Sequence, residues 1–199
     1  MLEAASRRFG ADLEIRWHAF ELRPEPAPLP DPDSDYISEH WENRVLPMAA
    51  ERGLAMRIPR KQIRSRRALQ AAVFAQEQGQ FPEFDRLVFR ARFEDDADIS
   101  DRDVLTRLAV AAGLDADAMA YALKSNAYAE RLAEDGALAQ AIGINGVPAA
   151  LVGAATDDLA EFVSNAEPVV GAVPEQWMLD AIDRVLRGDG GRLRLRPRL

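Results

Sequence analysis

The run Gly143-Ile144-Asn145-Gly146-Val147-Pro148-Ala149-Ala150-Leu151-Val152 constrains the fold of this chain more than any other stretch. Gly143 reads as a helix stop, Asn145-Gly146 as a tight turn, and Val147 to Val152 as an apolar run of strand length that contains an X-Pro bond. A proline that opens a strand after a glycine turn stands where a cis peptide is tolerated, and where strand pairing does not need the missing N–H. The segment therefore predicts a helix that passes through a short defined loop into a strand.

The residues before it predict their own elements. Leu2, Ala5 and Phe9 fall at helical spacing, with Gly10 as the stop. Leu13 to Phe20 alternates apolar and polar residues, which predicts a half-buried strand. Pro24, Pro26, Pro28, Pro30 and Pro32 then forbid a regular element, so an extended loop is expected over residues 23–35. From about Ser38 to Ile142 the pattern is helical, with breaks expected at Gly53, Pro59, Gly79, Pro82, Gly113 and Gly136. Ser100 or Asp101 is placed to cap a helix through Val104, Leu105 and Leu108, and Asp115 to cap the next, through Met119 and Leu123. Strand character returns at Val147 to Val152 and at Pro168 to Gly171. A last helix is expected from Pro174, at a first helical position, through Trp177 and Ile182 to Gly188. The tail 191–199, rich in Arg, is expected to be disordered.

Composition narrows the function classes. The chain has 199 residues, enough for a single domain with a sizeable insertion to bury its own core. A net charge of −8 argues against general nucleic-acid binding by the whole surface. No window approaches a membrane span, and residues 1–10 lack the basic start and apolar run of a signal peptide. The absence of cysteine excludes a disulfide scaffold, a Cys-ligated metal and a cysteine nucleophile within these residues.

Four short words, in order, resemble the DsbA-like family of the thioredoxin superfamily, and most closely its FrnE-type cytoplasmic members. Trp17-His18-Ala19-Phe20-Glu21-Leu22-Arg23-Pro24 is similar to the subfamily's W-x-x-F-x-L-N-P signature, with Arg23 in place of Asn. Asp98 to Leu105 is similar to D-I-x-D-x-x-V-L, Gly143 to Pro148 to G-I-x-G-V-P, and Val169 to Pro174 to I-x-G-A-Q-P. The resemblance implies an α/β, thioredoxin-like fold with a large all-helical insertion. It divides the chain into a thioredoxin-like domain (residues 1–37 and 143–190), a helical insertion (38–142) and the tail (191–199). It also implies a substrate-binding loop at Gly146, Val147 and Pro148.

The family's chemistry needs a first strand leading to Cys-Pro-x-Cys at a helix start, where the helix N-terminus favours the thiolate. Here both would lie before Met1, so the first strand is expected to be missing and no catalytic residue falls within the chain. In the thioredoxin arrangement that strand lies between the strand expected at Leu13 to Phe20 and the one at Val147 to Val152. Its loss would leave buried backbone groups unmet, at roughly 1–3 kcal/mol each, against a usual margin of about 5–15 kcal/mol. The expectation is a native product longer at its N-terminus. The rivals are a degenerate paralogue and a chain that borrows a strand from a partner.

The functional expectation is a DsbA-like thiol-disulfide oxidoreductase family member that is redox-inactive as this polypeptide, because exchange needs a thiolate. Its partners would be a polypeptide or a small thiol or disulfide, with a homodimer open, in the cytoplasm, and the resemblance requires no cofactor. One alternative is a noncatalytic module that binds extended polypeptide at the Val147 and Pro148 loop. Another is a glutathione-dependent isomerase of the kappa class, akin to 2-hydroxychromene-2-carboxylate isomerase, in which glutathione would be the cofactor. Ser6 is the serine to test for it, and it sits near the end of the first helix rather than at its start. The basic run Arg52, Arg57, Arg60, Lys61, Arg64, Arg66 and Arg67 reads as a solvated face, or more sharply as an anion site for glutathione or an acidic partner. Glu94 to Asp103 is acidic but lacks the glycine and terminal glutamate of an EF-hand, so capping and solvation explain it better. His18 and His40 have no neighbouring nitrogen ligand or nucleophile in sequence. Trp17, Phe20, Trp41 and Trp177 are expected either in the core or along a groove.

Overall fold

Leu2, Ala5 and Phe9 pack against one apolar cluster in the computed structural model, which describes residues 1–188. They lie on α1 (Leu2–Phe9), and Gly10 ends that helix at φ +52°. A turn of 3-10 helix, Gly10–Asp12, follows. The chain divides into two compact units, one formed by Met1–His18 with the chain from Leu138 onward, the other by Ala19–Ala137.

Residues 13–20 correct the expectation of a strand. Half-burial does alternate at first, with Leu13 and Ile15 half-buried and Glu14 and Arg16 exposed. Alternation decides only which side chains turn inward, whereas a strand also needs a neighbour's N–H and C=O groups. Among the described residues the one sheet has two strands, and both come from later in the chain.

In the unit Ala19–Ala137, α2 (Asp35–His40), one π-helical turn (Trp41–Val45) and α3 (Leu46–Glu51) follow one another directly. The main bundle is α4 (Arg66–Glu77), α5 (Phe81–Phe93), α6 (Arg102–Ala111) and α7 (Ala116–Ser125), and α8 (Ala129–Ala141) begins at the end of this unit. Phe84, Leu105 and Met119 are fully buried, and Ala71, Ala75 and Ala109 around them let the helices approach closely. Asp101 caps α6 by accepting from the Asp103 N–H at 2.7 Å, and Asp115 caps α7 by accepting from the Ala118 N–H at 2.7 Å. Ser100 is not the cap, because its N–H and hydroxyl both donate to Asp98. Two expected breaks are corrected. Pro82 is the second residue of α5, where no intrahelical N–H is needed. Gly136 lies inside α8, whose Leu132 and Ala139 are buried, and such packing offsets a glycine penalty of about 1 kcal/mol.

In the other unit, β1 (Ala149–Val152) pairs antiparallel with β2 (Glu167–Val170), in the register Ala149↔Val170 to Val152↔Glu167. Both strands start later or earlier than the apolar runs suggest: β1 opens two residues after Val147, and β2 one residue before Pro168. Between them lies α9 (Leu159–Asn165), whose short run shows too little periodicity to predict a helix. Asp158 starts it, accepting from the N–H groups of Ala160 and Glu161 at 2.9 and 3.0 Å. The last helix is α10 (Glu175–Leu186), with Pro174 as its cap rather than its first residue. Met178, Leu179, Ala181 and Ile182 of α10 join Ala5 and Val169 in a second core, with Ala150 and Val152 packed on it. The architecture is thus mostly helical with a small two-stranded sheet. The tail expected at 191–199 lies outside the described residues. No helix among the described residues is long and apolar enough to cross a membrane.

Phe84→Ala is expected to destabilise the helical unit by about 3–5 kcal/mol, measured by urea unfolding followed by far-UV circular dichroism.

Candidate functional site

Three backbone constraints build the loop before β1. Helix α8 ends in a left-handed residue, Gly143 at φ +74°. The Ile144 N–H donates to the Ala139 carbonyl at 2.8 Å and the Gly143 N–H to the Gln140 carbonyl at 3.2 Å, the paired bonds of a Schellman turn. Downstream, the Pro148 carbonyl accepts from the Gly171 N–H at 2.8 Å, which carries the hydrogen bonding of the sheet one step past Ala149. The Val147–Pro148 peptide is cis.

Between those anchors lie Asn145, Gly146 and Val147. Val147 is 57% exposed, and Pro148 and Asn145 are exposed as well. Among the described residues nothing accepts from the Val147 N–H or donates to its carbonyl. An extended chain laid beside Val147 would find one backbone donor and one acceptor, as in strand addition. Val170, at the paired end of β2, is 64% exposed, so apolar surface flanks the loop. Trp177, in the first turn of α10, is exposed too.

Ser6 is exposed within α1, and no group among the described residues bonds its hydroxyl. Trp17 is 40% exposed, and Trp41 is half-buried against Phe93 with ring centroids 6.0 Å apart. His40 stacks on Tyr36. Among the described residues no group of three or more His, Cys, Asp or Glu side chains is arranged to hold a metal.

The basic run is largely committed to the protein itself. Arg64 donates to the carbonyls of Arg23 at 2.7 Å and Ala27 at 2.8 Å, tying down the proline-rich loop. Arg66 pairs with Glu21 at 3.0 Å, and Arg67 donates to the Ser100 carbonyl at 2.8 Å. Arg60 Nε donates to Asp96 Oδ2 at 2.6 Å, and Arg92 reaches the same carboxylate while donating to the Lys61 carbonyl. Arg60, Lys61, Ile63, Arg92, Asp96 and Asp98 line a pocket of about 380 Å³ whose two guanidiniums already share Asp96. Burial disfavours the charge on Arg92, and Asp96 and Asp98 offset part of that. Asp96, at φ +54°, is held below the usual carboxylate range chiefly by its hydrogen bond from Arg60.

This fold and loop define a thioredoxin-like domain carrying a helical insertion. The chain belongs to the family described as DSBA-like thioredoxin domain, which matches residues 1–183. A Bacillus subtilis (strain 168) protein described as uncharacterized, YwbO, is 35% identical over 122 residues, or 60% of this chain and 61% of that protein. The match thus spans about three fifths of that relative's length. A crystal structure of a probable DsbA oxidoreductase from Streptomyces coelicolor shares the fold, with a TM-score of 0.62 at 22% identity, over 90% of this chain and 77% of that one.

Asp96 stabilises the folded chain while it is ionised. Because its folded pKa is lowered, that contribution is complete above the unfolded value of about 3.9 and is lost as pH falls through the folded value. Asp96→Asn keeps a residue that tolerates positive φ and is expected to cost about 1.5–3 kcal/mol near neutrality. In urea titrations the gap from the parent narrows as the solution is acidified. A pair of variants tests the loop backbone. Gly171→Ala places a side chain at φ +86° and is expected to cost about 1–2 kcal/mol. A Cβ at Gly146 would meet nothing within 4 Å, so Gly146→Ala is expected to unfold close to the parent in the same titration.

Proposed function

We propose that this chain serves thiol-disulfide chemistry by holding substrate: it binds an extended polypeptide at Gly146, Val147 and Pro148 and performs no exchange itself. Family membership supplies the class. The observation that carries the reading is Val147, exposed and with backbone N–H and carbonyl both unpartnered among the described residues. Extended peptides take up such groups by main-chain hydrogen bonding, and neighbouring apolar surface, here Val147 and Val170, takes their side chains. Exchange requires a thiolate to attack a disulfide sulfur, and the 199 residues contain no cysteine. The site therefore recognises the polypeptide around a thiol or disulfide, not the sulfur. Glutathione is the weaker candidate, because Arg64, Arg66 and Arg67 of the basic run are committed to carbonyls and a carboxylate of the chain.

A permanently unfolded, cysteine-alkylated polypeptide titrated into the labelled protein is expected to shift the backbone resonances of residues 146–148. Val147→Asp should weaken that binding about tenfold, or 1.4 kcal/mol. The chain alone should not reduce insulin. Turnover of insulin would overturn the substrate-holding role, and shifts confined to the helical unit would move the site elsewhere.

A further inference from the structure

We infer that Asn145 is a self-modifying site: the backbone nitrogen of Gly146 attacks its side-chain amide, and the loop acquires aspartate and isoaspartate. The reaction needs only water and hydroxide. The Gly146 nitrogen gives up its proton and bonds to Cγ of Asn145, the Cγ–Nδ2 bond breaks, and ammonia leaves with a proton returned by water. Water then opens the five-membered imide. Cleavage of the Cγ–N bond restores a normal backbone with aspartate at 145. Cleavage at the main-chain carbonyl instead routes the backbone through Cγ, as isoaspartate. The net change is an amide and a water converted to a carboxylic acid and ammonia.

Four features of the loop favour that ring closure. Asn145 is exposed and belongs to no helix or strand. Among the described residues no hydrogen bond holds its side-chain amide, and none engages the Gly146 N–H. Glycine follows, so no Cβ obstructs the approach, and the space where one would stand is empty to 4 Å. The chain is anchored just outside the pair, by Ile144 to Ala139 and by Pro148 to Gly171, each at 2.8 Å. The intervening residues can therefore turn without unfolding either element.

The remaining asparagines lack this combination. Asn126 precedes Ala127, whose N–H is bonded to the Ala122 carbonyl at 3.1 Å. Asn165 donates its amide to the Glu161 carbonyl at 3.0 Å, and the Ala166 N–H is bonded to Phe162. Asn43 sits inside the π-helical turn. Among the described residues, the similar pair Asp135-Gly136 is locked within α8, with Asp135 buried.

The product carries a new negative charge two residues before Val147, and in the isoaspartate form an extra backbone methylene. We expect weaker polypeptide binding from it; this consequence rests on the substrate-holding role above, whereas the modification itself does not.

The test is to age the full-length protein in warm, mildly alkaline buffer and follow each asparagine by peptide mass mapping, with isoaspartate detected by enzymatic methylation. Asn145 is expected to convert an order of magnitude faster than Asn43, Asn126 and Asn165. Gly146→Ala, checked for folding by circular dichroism, should slow that conversion to the rate of the others. An intact Asn145 after the others have changed, or a Gly146→Ala protein that converts at the parent rate, would overturn the modification. Equal polypeptide binding by fresh and fully converted protein, with the Val147→Asp variant still impaired, would overturn only its consequence. Equal binding by all three would instead count against the loop as the polypeptide site.

Discussion

The hydrogen bond from the Gly171 N–H to the Pro148 carbonyl sets the geometry on which the candidate site depends. Two strands of four residues each are marginal by themselves. They persist because one face, Ala150, Val152 and Val169, packs on the buried side of α10. Each large apolar side chain buried there contributes about 1.5–3 kcal/mol, well above what exposed ion pairs such as Arg8 with Asp183 supply. With the ladder held, the extra bond fixes Pro148 at its end and leaves Val147 outside it. Gly171 can make that bond because its left-handed backbone turns the chain sharply away from β2.

The helical unit is organised by a different economy of charge. Its core is apolar and rich in alanine, so the helices meet at short range. Its loops are fastened by guanidinium groups that reach backbone carbonyls. Arg64 does so for the proline-rich segment, which has few N–H groups of its own to donate; Arg92 does so for the segment before α4. Asp96 compensates Arg60 and Arg92 from a turn with positive φ, which joins the geometry of that turn to its charge. A basic run that looks like a ligand surface in one dimension is here largely a set of internal fasteners.

Local chemistry made much of this legible in advance. Gly10 and Gly143 stop helices where they should, and Asp101 and Asp115 start them, because a cap is decided within a few residues of chain. The loop at Gly146, Val147 and Pro148 was likewise visible, since a turn followed by a proline and an apolar run has few other conformations. What failed was whatever depended on partners distant in sequence. Leu13 to Phe20 has the composition and alternation of a strand but no ladder among the described residues. Gly136 has the propensity of a break but sits in a packed helix. Helix α9 was missed although Asp158 marks its start, because its short run gives too little periodicity to be seen.

The sequence by itself determined the caps, the turn chemistry, the absence of a thiol and the family, because each is written in contiguous residues. Only the tertiary structure decided that Val147 keeps both backbone groups unpaired among the described residues and that Arg60 and Arg92 share one carboxylate. It also decided that the apolar face of the sheet is closed by α10. Those outcomes depend on which groups meet across tens of residues of chain, and burial and hydrogen-bond satisfaction settle that only once the whole unit has packed.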